Sequence, residues 1–221
     1  MDTDVFFKVF KFLALIFSVI IHEISHAYAA LKCGDPTARD QGRITLNPIP
    51  HIDPIMTIAL PLMLTLSGSP LIFGGAKPVP VNIRRCYNPR KAYWITAIAG
   101  PLSNLAQAAI ALVGMLVATV FFVKTGGSPT AELVIDCFAF YGVINIFLMT
   151  FNLIPIPPLD GSRILTVLLP DKIAWHYASI ERYGFFILVA LLWTGVFDSY
   201  FCFVRSAYME IYIWIASLFL S

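Results

Sequence analysis

Six apolar stretches mark the chain, near residues 6–30, 55–73, 93–123, 133–154, 184–197 and 201–220, and segments rich in proline, glycine and charge separate them. A helix needs about 20 apolar residues to cross a bilayer, and the first, third and fourth runs reach that length. The run 55–73 is shorter and leads into Phe73-Gly74-Gly75-Ala76-Lys77-Pro78-Val79-Pro80-Val81-Asn82. Small residues followed by alternating prolines cannot continue a helix, so this stretch predicts an extended arm. Gly184–Phe197 is again short, and Arg205 and Glu210 interrupt the last run, which predicts a helical hairpin or one tilted helix. With no internal repeat, the pattern predicts an all-α polytopic membrane protein of about five to six transmembrane helices. It reads as one domain over residues 1–221, with a core at about 6–170 and C-terminal helices at about 183–220.

Composition agrees and narrows the function. Of 221 residues, 58% are hydrophobic and 13% charged, and the mean hydropathy is +0.79, more apolar surface than a soluble domain of this size can bury. A net charge of +2 without a basic tail or lysine clusters interleaved with aromatics excludes a nucleic-acid partner. Cys33, Cys86, Cys137 and Cys202 lack CxxC or CxxH spacing and read as free thiols. The first run follows Lys8 and Lys11 but is too long for a signal peptide and has no A-x-A-like cleavage site, so it is expected in the mature protein.

Inside that first run lies His22-Glu23-Ile24-Ser25-His26. On a helix the two imidazoles fall roughly 40° apart in projection and about 6 Å apart along the axis, so both reach one ion, with Glu23 beside them. A structural polar seam is the competing interpretation. Each ionisable residue in a membrane helix costs about 2.5–3.5 kcal/mol on insertion scales, which favours a metal site for three together.

A catalytic zinc takes three protein ligands and leaves a position for water. The candidates for the third are His51, Asp53, Asp136, Asp160, His176 and Asp198. Asp160 stands out because Asn152-Leu153-Ile154-Pro155-Ile156-Pro157-Pro158-Leu159-Asp160-Gly161 breaks the fourth run. Irregular backbone at membrane depth must be buried in protein or line a wet cavity. Capping explains the same residues, with Asp160 as N-cap of a helix Ser162–Leu169 and Asn152 at a helix C-terminus. Spacing alone leaves the two open. His51 and Asp53, in Pro50-His51-Ile52-Asp53-Pro54, read as a hydrogen-bonded turn rather than as ligands.

Together, His22-Glu23-Ile24-Ser25-His26, Ala99-Gly100-Pro101-Leu102-Ser103-Asn104 and the Asn152–Gly161 segment resemble the site-2 proteases, intramembrane zinc metalloproteases, over about residues 10–170. Gly42-Arg43-Ile44-Thr45-Leu46-Asn47-Pro48 and Lys77-Pro78-Val79-Pro80-Val81-Asn82 look like the minimal branch lacking PDZ and CBS domains. The resemblance implies that His22, His26 and Asp160 hold one zinc ion, that Glu23 is the general base, and that Asn152 positions substrate or stabilises the oxyanion. The substrate it implies is a transmembrane protein, expected to be single-span, cut in or near its membrane segment. A metal-binding membrane transporter and a non-catalytic membrane scaffold are the alternatives. The glutamate within HExxH argues against transport, and no matched motif position is missing as a dead scaffold would allow.

Depth matching then sets the topology. For His22 and Asp160 to share an ion, the helices that carry them must end on the same face, which makes 55–73 a re-entrant helix before the arm at about Phe73–Asn82. Between residues 32 and 92, Lys32, Arg39, Arg43, Lys77, Arg84, Arg85, Arg90 and Lys91 outnumber Asp35, Asp40 and Asp53. The positive-inside rule makes that face cytoplasmic, with the N-terminus outside, and the resemblance to the minimal branch, bacterial or archaeal, implies a prokaryotic plasma membrane. The arm reads either as a strand edge for an unwound substrate or as a loop that closes the fold.

Overall fold

The computed structural model describes residues 3–59, Met63, Leu66 and 75–220. The α-helices with described bounds are α1 (Thr3–Lys32), the single turn α2 (Thr37–Asp40), α3 (Pro89–Lys124), α4 (Pro129–Asn152), α5 (Asp160–Leu168), α6 (Asp171–Ser179), α7 (Glu181–Trp193) and α8 (Val196–Leu220). No strand occurs among the described residues. Four of the helices, α1, α3, α4 and α8, are long and apolar enough to span a membrane.

This is an all-helical membrane protein with four candidate spans among the described residues, against an expected five to six. The run 184–197 accounts for one of the missing spans. It forms only the 13-residue α7, well under the roughly 20 residues a crossing requires. The last run forms one helix, α8, despite Arg205 and Glu210. Most of the expected re-entrant helix 55–73, and the start of the arm at Phe73 and Gly74, lie outside the described residues. What is described there begins with a π-helical turn, Pro54–Ala59.

α3 is the central helix, packed against α1, α4, α5 and α8. Its buried residues are mostly small, among them Ala92, Ala97, Gly100, Ala108, Ala111 and Ala118, which lets neighbouring backbones approach closely where lipid offers no competing hydrophobic drive. Ala108 and Met115 of α3, Val143 of α4 and Tyr208 of α8 form the core. Outward faces carry Phe12, Ile110, Val117, Phe203 and Trp214, apolar surface that the hydrocarbon of a bilayer covers.

One contact and one tight loop set the direction of the helices. Tyr87 N–H, just before α3, donates to Cys33 O at the end of α1 at 2.9 Å. At the opposite end, α3 and α4 are joined by residues 125–128, where Gly126 and Gly127 adopt positive φ of 69° and 93°. The C-terminus of α1, the N-terminus of α3 and the C-terminus of α4 therefore share a face, as depth matching requires.

The arm residues Gly75–Asn82 carry no regular secondary structure. They are clamped to the body instead. Lys77 N–H donates to His51 O at 2.8 Å, and buried Arg43 donates from Nη2 to Lys77 O at 2.7 Å and Pro78 O at 3.2 Å. Asn82 N–H donates to the Asp35 carboxylate. His51, buried in its 3-10 turn Ile49–His51, faces Thr45 O through Nε2 at 3.0 Å, and the Asp53 carboxylate accepts from Ile55 N–H at 2.9 Å. The pair forms a hydrogen-bonded turn into Pro54–Ala59.

Candidate metal centre

α1 presents His22 and His26 one turn apart toward α3, where Gly100 lies opposite. A Cβ at Gly100 would stand 2.5 Å from His22 Nε2 and 2.5 Å from His26 Nε2. Only a residue without a side chain leaves that space open. The prolines between α4 and α5 turn the chain back so that Asp160 enters at the first turn of α5. There Gly161 permits a close approach, since its Cβ would lie 2.1 Å from Leu153 O.

Asp160 caps no helix. Leu159 holds the N-cap position without a side-chain cap bond, and the Asp160 carboxylate reaches across to α1, with Oδ2 3.1 Å from His22 Nε2 and 3.2 Å from His26 Nε2. The two Nε2 atoms are 2.9 Å apart. All three side chains are buried.

Hydrogen bonding fixes what the imidazoles offer. His26 Nδ1 lies 2.6 Å from Thr96 O; a backbone carbonyl only accepts, so Nδ1 carries a proton and, in the neutral ring that binds a metal, Nε2 keeps a lone pair. His22 Nδ1 lies 2.6 Å from Asn104 Oδ1. Two imidazole lone pairs and one carboxylate oxygen thus converge with no donor of their own. Ligands about 2.0–2.1 Å from a tetrahedral zinc stand about 3.3–3.4 Å from one another. The observed edges of 2.9, 3.1 and 3.2 Å are close to that face, so the donor set fits zinc in number, chemistry and spacing.

Glu23 borders the centre: His22, Glu23 and His26 each offer a ligand atom within 4.8 Å of the others. Its Oε2 accepts from Val79 N–H at 3.0 Å, which ties the arm to the site. Asn152 is not drawn in the same way. It ends α4 half-buried, and its amide donates to Leu148 O of its own helix at 2.9 Å. Among the described residues, His51, Asp53, Asp136, His176 and Asp198 are not gathered with the centre. Thr96, Ser18 and Asn145 gained no role from the sequence, and Asn104 only membership of a matched motif; yet Ser18, Asn104 and Asn145 are fully buried. Amides inside membrane helices were the available signal.

The model of peptidase family M50 matches residues 58–194. This chain belongs to peptidase family M50. The match contains Asp160 and Asn152 and begins after the His22–His26 run. The chain is 39% identical over 182 residues to "Putative zinc metalloprotease YwhC" of Bacillus subtilis, covering 82% of this chain and 79% of that one. It is 29% identical to "Putative zinc metalloprotease Rip2" of Mycolicibacterium smegmatis, covering 83% and 66% respectively. To "Putative zinc metalloprotease MJ0611" of Methanocaldococcus jannaschii it is 36% identical, covering 56% and 58%. No solved structure matches. The M50 chain is an integral membrane zinc metalloprotease of the site-2 kind, and the transporter and scaffold alternatives are not favoured.

Proposed function

We propose that His22, His26 and Asp160 hold one zinc ion and that Glu23 is the general base in hydrolysis of peptide bonds within transmembrane segments of single-span proteins. The observation that carries this reading is the convergence of three buried lone-pair atoms beside a carboxylate. Zinc bound there supplies Lewis-acid chemistry, polarising the scissile carbonyl and acidifying water. Glu23 takes the proton of the attacking water and delivers it to the leaving amine. Val79 N–H orients the Glu23 carboxylate meanwhile.

Asn152 positions the substrate or its oxyanion by exchanging its bond to Leu148 O for one to the substrate. The arm lies across the site, and a locally unwound substrate pairs with it. Because Pro78 and Pro80 have no N–H, those two residues can only accept in such pairing. An apolar groove of about 510 Å³, lined by Phe10, Phe17, Ile20, Leu46, Phe138 and Tyr141, runs between α1 and α4. It reaches to within two residues of His22 and suits the approach of a membrane segment. The whole chain acts as one domain, with the site opening to the cytoplasmic side of a prokaryotic plasma membrane.

Glu23→Gln should retain one zinc per chain while cleavage falls by about 10²–10⁴-fold, the usual worth of general acid–base catalysis. Comparing membrane peptides by mass spectrometry from cells making the wild type or Glu23→Gln identifies substrate and cut site. Unchanged turnover would remove Glu23 from the role of base, and a cut confined to soluble loops would sink the intramembrane reading.

A further inference from the structure

The two imidazoles of the centre are oriented by different means. His26 Nδ1 faces a backbone carbonyl directly, that of Thr96. His22 Nδ1 faces a side-chain amide, Asn104 Oδ1 at 2.6 Å, and a primary amide presents either a carbonyl or an NH₂ group according to how it is turned. If Asn104 were turned the other way, its NH₂ would force the His22 proton onto Nε2 and remove the lone pair from the centre. Something must fix Asn104.

The bonds beyond it do. Asn104 Nδ2 donates to Asn145 Oδ1 at 2.9 Å. Asn145 Nδ2 donates to Tyr141 O at 2.9 Å and to Ser18 Oγ at 2.9 Å. Ser18 Oγ has committed its own proton to Ala14 O at 2.8 Å. Tyr141 O can only accept, so Asn145 must turn its NH₂ toward it, which leaves its carbonyl for Asn104 and the Asn104 carbonyl for His22. The polarity has one solution from end to end, across α4, α3 and α1.

We infer that Asn145, anchored on the Tyr141 carbonyl, is a positioning residue that sets the orientation of Asn104 and thereby keeps His22 in the Nδ1–H tautomer with its Nε2 lone pair facing the metal. This rests on the assignment of His22 as a zinc ligand. Loss of the group that accepts a hydrogen bond from a metal-bound histidine commonly changes metal affinity by about 10–100-fold. The two relay amides, Asn104 and Asn145, are 0% exposed, so no water replaces a missing link cheaply.

The test uses the full chain labelled with ¹⁵N-histidine, of which it has four. In the zinc-free wild type above neutral pH, both histidines whose signals move on zinc addition should be Nδ1–H tautomers. Asn145→Leu should convert His22 alone to a mixture and weaken zinc binding, read by competition with a chromophoric chelator, by about 10–100-fold. Adding Asn104→Asp should recover most of that loss, because a carboxylate accepts from Nδ1–H whichever way it is turned. Ser18→Ala, which leaves the Tyr141 anchor, should behave as wild type.

An Nε2–H tautomer at His22 in the wild type overturns the relay, and that measurement stands whether or not a variant folds. So does an Asn145→Leu protein with wild-type affinity and spectrum, or a double variant no better than Asn145→Leu. A wild type that binds no zinc defeats the assignment of the centre itself, a separate result.

Discussion

Gly100 has no functional group, yet its missing side chain leaves the space that the two imidazoles occupy. Both imidazoles are pinned at Nδ1, by Asn104 and by Thr96, so neither ring yields freely to a Cβ 2.5 Å away. Gly100→Ala should therefore reduce the zinc affinity of the purified protein by at least about tenfold, as when a metal-bound histidine loses the group that orients it, with helical content by circular dichroism unchanged. Full zinc occupancy in a folded Gly100→Ala protein would show that the rings move aside. The same site shows what a sequence exposes at this scale. His22, Glu23 and His26 are legible because helical periodicity alone puts them on one face. Asp160 is half legible: its proline-broken surroundings stand out, but capping fits the spacing equally until the carboxylate is seen 3.1 Å from His22. Asn145 is a single amide in an apolar run, and nothing local says that it faces Asn104 forty-one residues earlier.

At the scale of elements, the connection between α1 and α3 is held by side chains in place of a ladder. Asp35 is its main fastening. Buried, it accepts from Thr37 N–H at 3.0 Å, from the Thr37 hydroxyl and from Asn82 N–H. Burial pushes its carboxyl up, but these bonds prevail and hold it below its ordinary value. A group with a depressed folded pKa stabilises above its unfolded pKa, and the stabilisation is lost as pH falls through the folded one. Asp35→Asn should thus cost roughly 1.5–3 kcal/mol at neutral pH, the worth of hydrogen bonds to a charged group. The cost should begin to narrow as pH falls below about 4, where the unfolded carboxyl protonates, and disappear only below the depressed folded value. Unfolding in detergent at the two pH values measures it, and a cost that stays constant with pH would mean that the charge contributes nothing. From sequence, Arg43 read as one more basic residue of a cytoplasmic loop. It is instead buried against Lys77 O and Pro78 O, a contact thirty-four residues away in the chain that charge counting cannot anticipate.

For the whole molecule, parity follows from helix length and joining rather than from any one residue. α3 has 36 residues, about 54 Å at 1.5 Å per residue, against a hydrocarbon thickness of about 30 Å. Its two ends must stand in opposite aqueous phases. One end lies beside Cys33 and the basic segment from Lys32 to Lys91, and the other carries Lys124, with Glu132 and Asp136 nearby in α4. The excess of Lys and Arg at the first end is what the positive-inside rule rests on in the proposal that this end is cytoplasmic, and the half-buried thiol of Cys33 and the exposed side chain of Thr125 serve as probes of the two ends. Cys86 is buried and makes a poor one. With Cys86, Cys137 and Cys202 replaced by alanine, a membrane-impermeant maleimide should modify Cys33 only from the cytoplasmic side. With Cys33 replaced as well and Thr125→Cys introduced, labelling should come only from outside. Exchange of the two patterns would invert the orientation while leaving the parity intact. Labelling of both thiols from one side would break the parity, and with it the requirement that α1, α3 and α4 bring their ends to a single face around His22 and Asp160.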